Sequence, residues 1–308
     1  MADCIISVWK RFGMPEAAAP WVDTFLMAED QKLISTVEKP SFTAGDLSEI
    51  FGAAAADYLA SAYRRGIVSL TDEVERRYRL NNFYGMLDIF AITEAQRYRA
   101  LPEDVRLKLD AWYFSEYCAG LDDSDMPTAD EILPLEEVLR FIDAQDRPVY
   151  LNYCDCRSLR GECGLPTQTC ITYKSMPNTF AHRGLSERID AERAKQIVRQ
   201  ADRAGLMHTV NPNGICSCCG DCCYLFRAQR ERGSHGVWPK TERIIALDAD
   251  RCIGCGLCTR RCHFGALTRE GRKIHLHAEQ CAGCGICATA CPGGALRLKE
   301  RAPRNEQK

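Results

Sequence analysis

Residues 252–262 read CIGCGLCTRRC, and residues 281–291 read CAGCGICATAC. Both are C-x2-C-x2-C-x3-C, and the match runs on, with Ala266-Leu267 echoed by Ala295-Leu296. A repeat this strict marks an internal duplication, two halves of one domain built alike. Three thiols on one tight loop can occupy three corners of a metal cluster. Gly254, Gly256, Gly283 and Gly285 let the backbone turn closely and aim N–H groups at the sulfurs. The repeat defines a domain over residues 241–300, followed by a tail, 301–308.

The rest of the chain sets the context. Of its 308 residues, 46% are hydrophobic and 27% charged, as in an ordinary globular protein, and there is room for two or three domains. A formal charge of −2 dictates no nucleic-acid or membrane partner. The start, MADCIISVWKRFGM, lacks the basic and apolar regions of a secretory signal, and no stretch approaches the ~20 apolar residues of a membrane span. A cytoplasmic location is the expectation. There the 19 cysteines are better suited to metal than to disulfides. Only Cys4 and Cys118 precede residue 150.

Segment 241–300 resembles the bacterial two-cluster ferredoxin domain. The resemblance implies two 4Fe–4S clusters with crossed ligation. Cys252, Cys255, Cys258 and Cys291 would hold one; Cys281, Cys284, Cys287 and Cys262 would hold the other. Zinc, the alternative, would be satisfied by C-x2-C pairs and has no need of the crossed fourth ligand. The family pattern places proline after the fourth cysteine. Pro292 obeys it, whereas His263 stands after Cys262, either as a tolerated turn residue or as a titratable group beside a cluster. Residues 241–308 carry 12 Lys+Arg against 7 Asp+Glu, a net of +5 that offsets cluster charge or docks an acidic partner.

Residues 132–232 read as a cysteine-rich middle domain between an acidic linker, 121–131, and a second linker, 233–240. Its first cysteine group is CDCRSLRGECGLPTQTC, with Cys154, Cys156, Cys163 and Cys170; its second is ICSCCGDCC, with Cys216, Cys218, Cys219, Cys222 and Cys223. Adjacent cysteines bridge each other only with strain. Cys216-x2-Cys219-x2-Cys222 repeats the ferredoxin spacing, so the loop reads as a cluster cradle, with redox-active thiols and zinc as alternatives. Nine cysteines suffice for one or two 4Fe–4S clusters. Arg157 and Arg160 are expected near the cluster, compensating its charge. His208 is a structural hydrogen-bonder or, less simply, part of an open reactive site.

Residues 1–120 read as a helical front. Phe25, Leu26, Leu33, Ile34 and Val37 recur at helical spacing, Thr43-x-x-Asp46 is a capping signal, and a third helix ends at Gly66. Two short strands, IVSL and RYRL, follow, giving a winged-helix-like order. Two further helices are expected over 83–119, the second entered through Pro102. Residues 20–82 contain 7 Lys+Arg and 10 Asp+Glu, a net of −3 that is unsuited to phosphates.

The predicted fold class is α+β: a winged-helix-like N-terminal domain, a cysteine-rich middle domain and a ferredoxin-like C-terminal domain. The whole layout, with Cys154-Asp155-Cys156-Arg157 and Ile215–Cys223, resembles a family of multi-cluster iron–sulfur proteins from anaerobes. That resemblance implies an electron-transfer protein or subunit relaying single electrons between a donor protein and an oxidoreductase, with no catalytic residue of its own. A redox-sensing transcriptional regulator and a reductase acting at a middle-domain cluster are the alternatives. No glycine-rich dinucleotide loop is present, so redox proteins are the expected partners.

Overall fold

The computed structural model describes residues 8–161 and 163–301. Cys4 and the tail beyond residue 301 lie outside them. The chain forms two compact units. The first runs to Ala119 and includes Ser158–Gly161 and Ser175–Glu187; the second contains 120–157, 163–174 and 188–301. Among the described residues, no helix is long and apolar enough to cross a membrane.

In the first unit, helix α1 (Ala28–Thr36) and α2 (Ala55–Arg64) precede a hairpin of β1 (Val68–Asp72) and β2 (Arg77–Leu80). Between the helices, Thr43 and Asp46 form the reciprocal cap that their spacing implied. The Thr43 amide donates to Asp46 Oδ2 at 2.9 Å, and the Asp46 amide donates to Thr43 Oγ1 at 3.4 Å. Helix α2 starts at Ala55, after a short 3-10 turn, and the chain leaves it through Gly66 at φ +78°. A side chain at Gly66 would strike Ile89, so glycine is required there both by the left-handed backbone and by the close packing.

Three helices, not two, follow the hairpin: α3 (Tyr84–Thr93), α4 (Ala95–Arg99) and α5 (Glu103–Ala119). The break falls at Glu94, whose φ of −116° and ψ of 40° are not helical. Phe25 closes the core between Phe83 and Phe90, with both ring centroids 5.0 Å away.

The boundary drawn from sequence differs from the one in the structure. Residues 175–187, expected in the middle domain, pack in the first unit. The Arg183 guanidinium donates to the Tyr63 and Val68 carbonyls, and the Asn178 side chain pairs with both backbone groups of Leu70. His182 lies between Tyr63 Oη, 2.7 Å from Nδ1, and Glu73, 2.9 Å from Nε2. These partners are non-local, and no local pattern announces them.

The second unit is built on a six-stranded sheet of order β3-β7-β8-β5-β4-β6. The strands are β3 (Glu131–Leu133), β4 (Val149–Asn152), β5 (Cys170–Thr172), β6 (Glu187–Ile189), β7 (Met207–Asn211) and β8 (Gly214–Cys218). Helix α7 (Asp155–Arg160) follows β4, and helices α6 (Leu135–Asp143) and α8 (Ala191–Ala204) bury Val138, Ile142, Ala194 and Val198 against Ile171, Val210 and Ile215 of the sheet. Asp190 caps α8 by accepting from the Arg193 amide at 2.7 Å, and Gly205 ends it at φ +98°.

Segment 233–240, read as a linker, is anchored. Trp238 is fully buried and its indole N–H donates to Thr128 Oγ1 at 2.7 Å. Lys240 and Asp130 then join backbone to backbone. A large aromatic inside a short polar stretch was the available signal for this. Beyond it, β9 (Arg243–Leu247) pairs antiparallel with β12 (Leu296–Glu300), and β10 (Leu267–Glu270) with β11 (Lys273–Leu276). After α9 (Tyr224–Arg232), the two short helices, α10 (Leu257–Arg261) and α11 (Ile286–Thr289), follow Gly256 and Gly285, both left-handed. The sequence repeat is thus a structural one.

Candidate metal centres

Each C-x2-C-x2-C loop of the C-terminal part wraps a small apolar cavity. One, of about 330 Å³, is lined by Cys252, Cys255, Cys258 and Cys291, with Leu247, Ile274 and Leu296. The other, of about 320 Å³, is lined by Cys281, Cys284, Cys287 and Cys262, with Ile245, Leu276 and Ile286. Close backbone approach makes these loops possible. A Cβ on Gly254 would meet the Arg272 carbonyl at 2.3 Å, and one on Gly283 the Arg243 carbonyl at 2.1 Å. Both sit at positive φ and occupy equivalent places in the repeat. Burial pushes the Cys284 thiol up to about 12, and Cys287 is raised for the same reason first. A thiolate in such a cavity needs a cationic centre to stabilise it. Four thiols around an apolar pocket are the donor set of a 4Fe–4S cube, and the residues present fit that group.

Residues 243–298 match the family model described as a 4Fe-4S dicluster domain. No curated protein and no solved structure matches the chain. The match supports a ferredoxin-like 4Fe-4S domain in the C-terminal part of the chain.

In the middle part, β8 carries Cys216 and Cys218 two residues apart, so both point to the sheet face opposite Ile215. With their neighbours they form a closed ring of mutually interacting thiols. Cys154 contacts Cys156 and Cys170; Cys156 contacts Cys223; Cys223 contacts Cys218; Cys218 contacts Cys216, and Cys216 contacts Cys170. Cys154 and Cys223 are held well below the ordinary thiol range by these contacts, while Cys156 and Cys170 are pushed up by the same contacts. The Asp155 carboxyl beside it is raised to about 6, by burial first and then by the Cys154 thiolate.

Arg157 is the buried cation of this centre, 1% exposed. It donates through Nε to the Pro166 carbonyl at 3.0 Å, through Nη1 to the Ser217 carbonyl at 2.7 Å and through Nη2 to Thr169 Oγ1 at 2.5 Å. Burial opposes its charge, but the thiolates of Cys154, Cys170, Cys218 and Cys219 outweigh burial and raise its pKa. Arg160, expected beside it, instead pairs with the buried Asp110 at 3.0 Å in the first unit. The two arginines lie nearly a helical turn apart on Asp155–Arg160 and point different ways.

Cys163, Cys219 and Cys222 stand apart from the ring, joined by Asp221. The spacing Cys216-x2-Cys219-x2-Cys222 is therefore not one ferredoxin-like loop. Cys216 lies in a strand and faces the ring, and the chain turns before Cys219. The strand period decides this. Sequence reasoning passed over Asp221 and Asp155 as site residues, although both sit inside the quoted cysteine motifs.

The two histidines singled out by sequence have structural settings. His263 Nε2–H donates to the Gly205 carbonyl at 2.7 Å, and a Cβ on Gly220 would lie 2.5 Å from His263 Cβ. His208 is fully buried on β7, with Nδ1 3.3 Å from Ser217 Oγ and Nε2 without a partner. Burial lowers its pKa from 6.5 to about 4, so it stays neutral when folded and takes up a proton only on unfolding. Its contribution to stability is complete above about pH 6.5 and is lost as the pH falls towards about 4. Denaturant unfolding under anaerobic conditions should give about 2 kcal/mol less stability at pH 5 than at pH 7 from this group. His208→Leu should flatten that slope; an unchanged slope would assign the acid sensitivity elsewhere.

Proposed function

We propose that the protein is a multi-cluster electron-transfer protein or subunit, passing single electrons between a donor protein and an oxidoreductase. The observation that carries this reading is the pair of four-cysteine cavities in one duplicated fold. One 4Fe–4S cluster is assigned to Cys252, Cys255, Cys258 and Cys291, and the other to Cys281, Cys284, Cys287 and Cys262. The ring of Cys154, Cys156, Cys170, Cys216, Cys218 and Cys223 is assigned a third redox centre. Its thiolates would hold the iron, and Arg157 would offset their charge. Adjacent iron–sulfur centres accept and release electrons without an acid or base, and hydrogen bonds, burial and nearby charge tune their potentials. The net +5 of residues 241–308 suits an acidic redox partner.

Anaerobic redox titration followed by EPR tests the relay. Reversible uptake of at least two electrons per chain is expected. No reversible uptake between about −700 and +450 mV, the span of known clusters, would reject it.

A DNA-binding regulator is the competing reading, and the front unit speaks against it. The exposed residues of α2 are Ala56, Asp57, Ala60, Ser61 and Arg64, which offer little to base edges. Arg65 is committed to the buried Asp30, with Nη2 2.8 Å from Oδ1. The Tyr63 side chain is occupied by His182 and Asn178. Fluorescence anisotropy with duplex DNA at physiological salt should detect nothing tighter than non-specific binding, roughly 10⁻⁴–10⁻⁶ M. Tight, sequence-dependent binding would favour the regulator.

A further inference from the structure

We propose that Cys163, Cys219, Cys222 and Asp221 hold a single tetrahedral divalent ion of zinc(II) type, with no bridging sulfide. Three observations carry this, and none depends on the electron-relay reading.

The first is spacing. The four donor atoms all lie within 4.8 Å of one another. Around one tetrahedral ion with metal–sulfur bonds of about 2.3 Å, donors stand roughly 3.8 Å apart, which this group can reach by small side-chain adjustment. A cube interposes four irons and four sulfides, so its thiolates must stand much further apart. The C-terminal part provides the contrast. Its two sets of four thiols line separate apolar pockets, and among the described residues neither set is drawn within 4.8 Å. One chain uses two thiol spacings, and each fits a different kind of centre.

The second is the donor count. The other six middle cysteines are engaged with each other in the ring, which leaves three thiols here and no fourth to complete a cube. The Asp221 carboxylate takes the fourth place on the exposed side, while Cys219 and Cys222 are fully buried. The Cys222 amide donates to Cys219 Sγ at 3.3 Å, so the turn itself holds the two residues together. Metal binding releases the thiol protons, and the cation takes over the charge compensation.

The third is the setting. Ala201, Leu206 and Leu165 pack around the three cysteines and keep water from the inner side. The ion would tie the segment at Cys163 to the turn 219–222. Gly220, at the middle of that turn, lies directly against His263, the residue after Cys262. The Gly220 carbonyl also accepts from Arg230 Nη1 at 2.5 Å. The ion therefore has a structural role: it stiffens the turn against which His263 packs. A closed site with thiolate donors is the common form of structural zinc.

The test is metal and sulfide analysis of full-length protein purified anaerobically. Cys222→Ser should lose about one equivalent of zinc, or of iron if iron occupies the site, while acid-labile sulfide stays constant. X-ray absorption at the edge of that metal in the unmutated chain should give about three sulfurs near 2.3 Å and one lighter donor near 2.0–2.2 Å. Because Cys222→Ser could misfold, Asp221→Asn provides a milder arm. It should weaken retention of the ion against a chelator by roughly tenfold or more, the scale on which even supporting partners of a metal act, with visible cluster absorption unchanged. Loss of iron and sulfide together in Cys222→Ser would make the site a cluster cradle and overturn the proposal. Unaltered metal content in both variants would overturn it as well. Neither result bears on whether the remaining clusters take up electrons.

Discussion

Replacing Cys291 with alanine should remove about four irons and four sulfides from the protein and leave the cluster of Cys281, Cys284 and Cys287 in place. The expectation is counterintuitive from the sequence, because Cys291 ends the second loop. In the fold it lines the cavity of the first loop, beside Cys252, Cys255 and Cys258. The pairing of β9 with β12 brings the ends of the domain together and places Cys291 there. Cys262→Ala should have the mirror-image effect, since Cys262 lines the cavity of the second loop. Iron and sulfide analysis, with EPR of the reduced variants, distinguishes the two surviving clusters. If Cys291→Ala removed the cluster of its own loop and spared the other, the crossed assignment would be wrong. Alanine is the better probe, because serine could still offer an oxygen to iron.

The C-terminal part was legible because its information is local and repeated. Every cysteine of the repeat sits at a fixed offset from another, and glycine stands where a Cβ would strike backbone, as at Gly254 and Gly283. The Thr43–Asp46 cap and the Gly66 helix end were legible for the same reason. The middle part was not. There the spacing Cys216-x2-Cys219-x2-Cys222 suggested one loop, but a strand ends at Cys218 and its period of two sends Cys216 and Cys218 together to the ring. Alternation of Ile215 and Ser217 with the cysteines was the signal for a strand, and it competed with a more familiar motif. The ring itself joins β4, β5, β8 and the helix at Asp155, elements whose pairing depends on sheet order. Sheet order is non-local, and one sequence does not specify it. The fate of residues 175–187 failed for the same reason, as Arg183 and His182 find partners more than a hundred residues away.

Arg157→Met should destabilise the second unit by about 3–5 kcal/mol, the usual result of removing one partner from a buried charged network. For a unit of this size that corresponds to a fall in Tm of roughly 10 °C. The side chain is nearly isosteric along its stem, so the loss falls on the guanidinium. Its removal leaves the Pro166 and Ser217 carbonyls and the Thr169 hydroxyl without their donor inside the fold. It also removes a positive charge that acts on Cys154, Cys170 and Cys218, so the thiolates of the ring repel one another with less compensation. A metal centre held by those thiolates should then become harder to reduce, and its potential should move to more negative values while those of the two C-terminal clusters stay nearly fixed. Arg157→Lys separates the two roles. Lysine restores the charge but not the planar fork that reaches three acceptors at once. The potential should return most of the way, whereas Tm should recover only in part. If Arg157→Met shifted stability but left every potential unchanged, Arg157 would be a structural strut and the ring would not be a redox centre. If it moved the potentials of the C-terminal clusters instead, the charge of Arg157 would be acting on them and not on the ring.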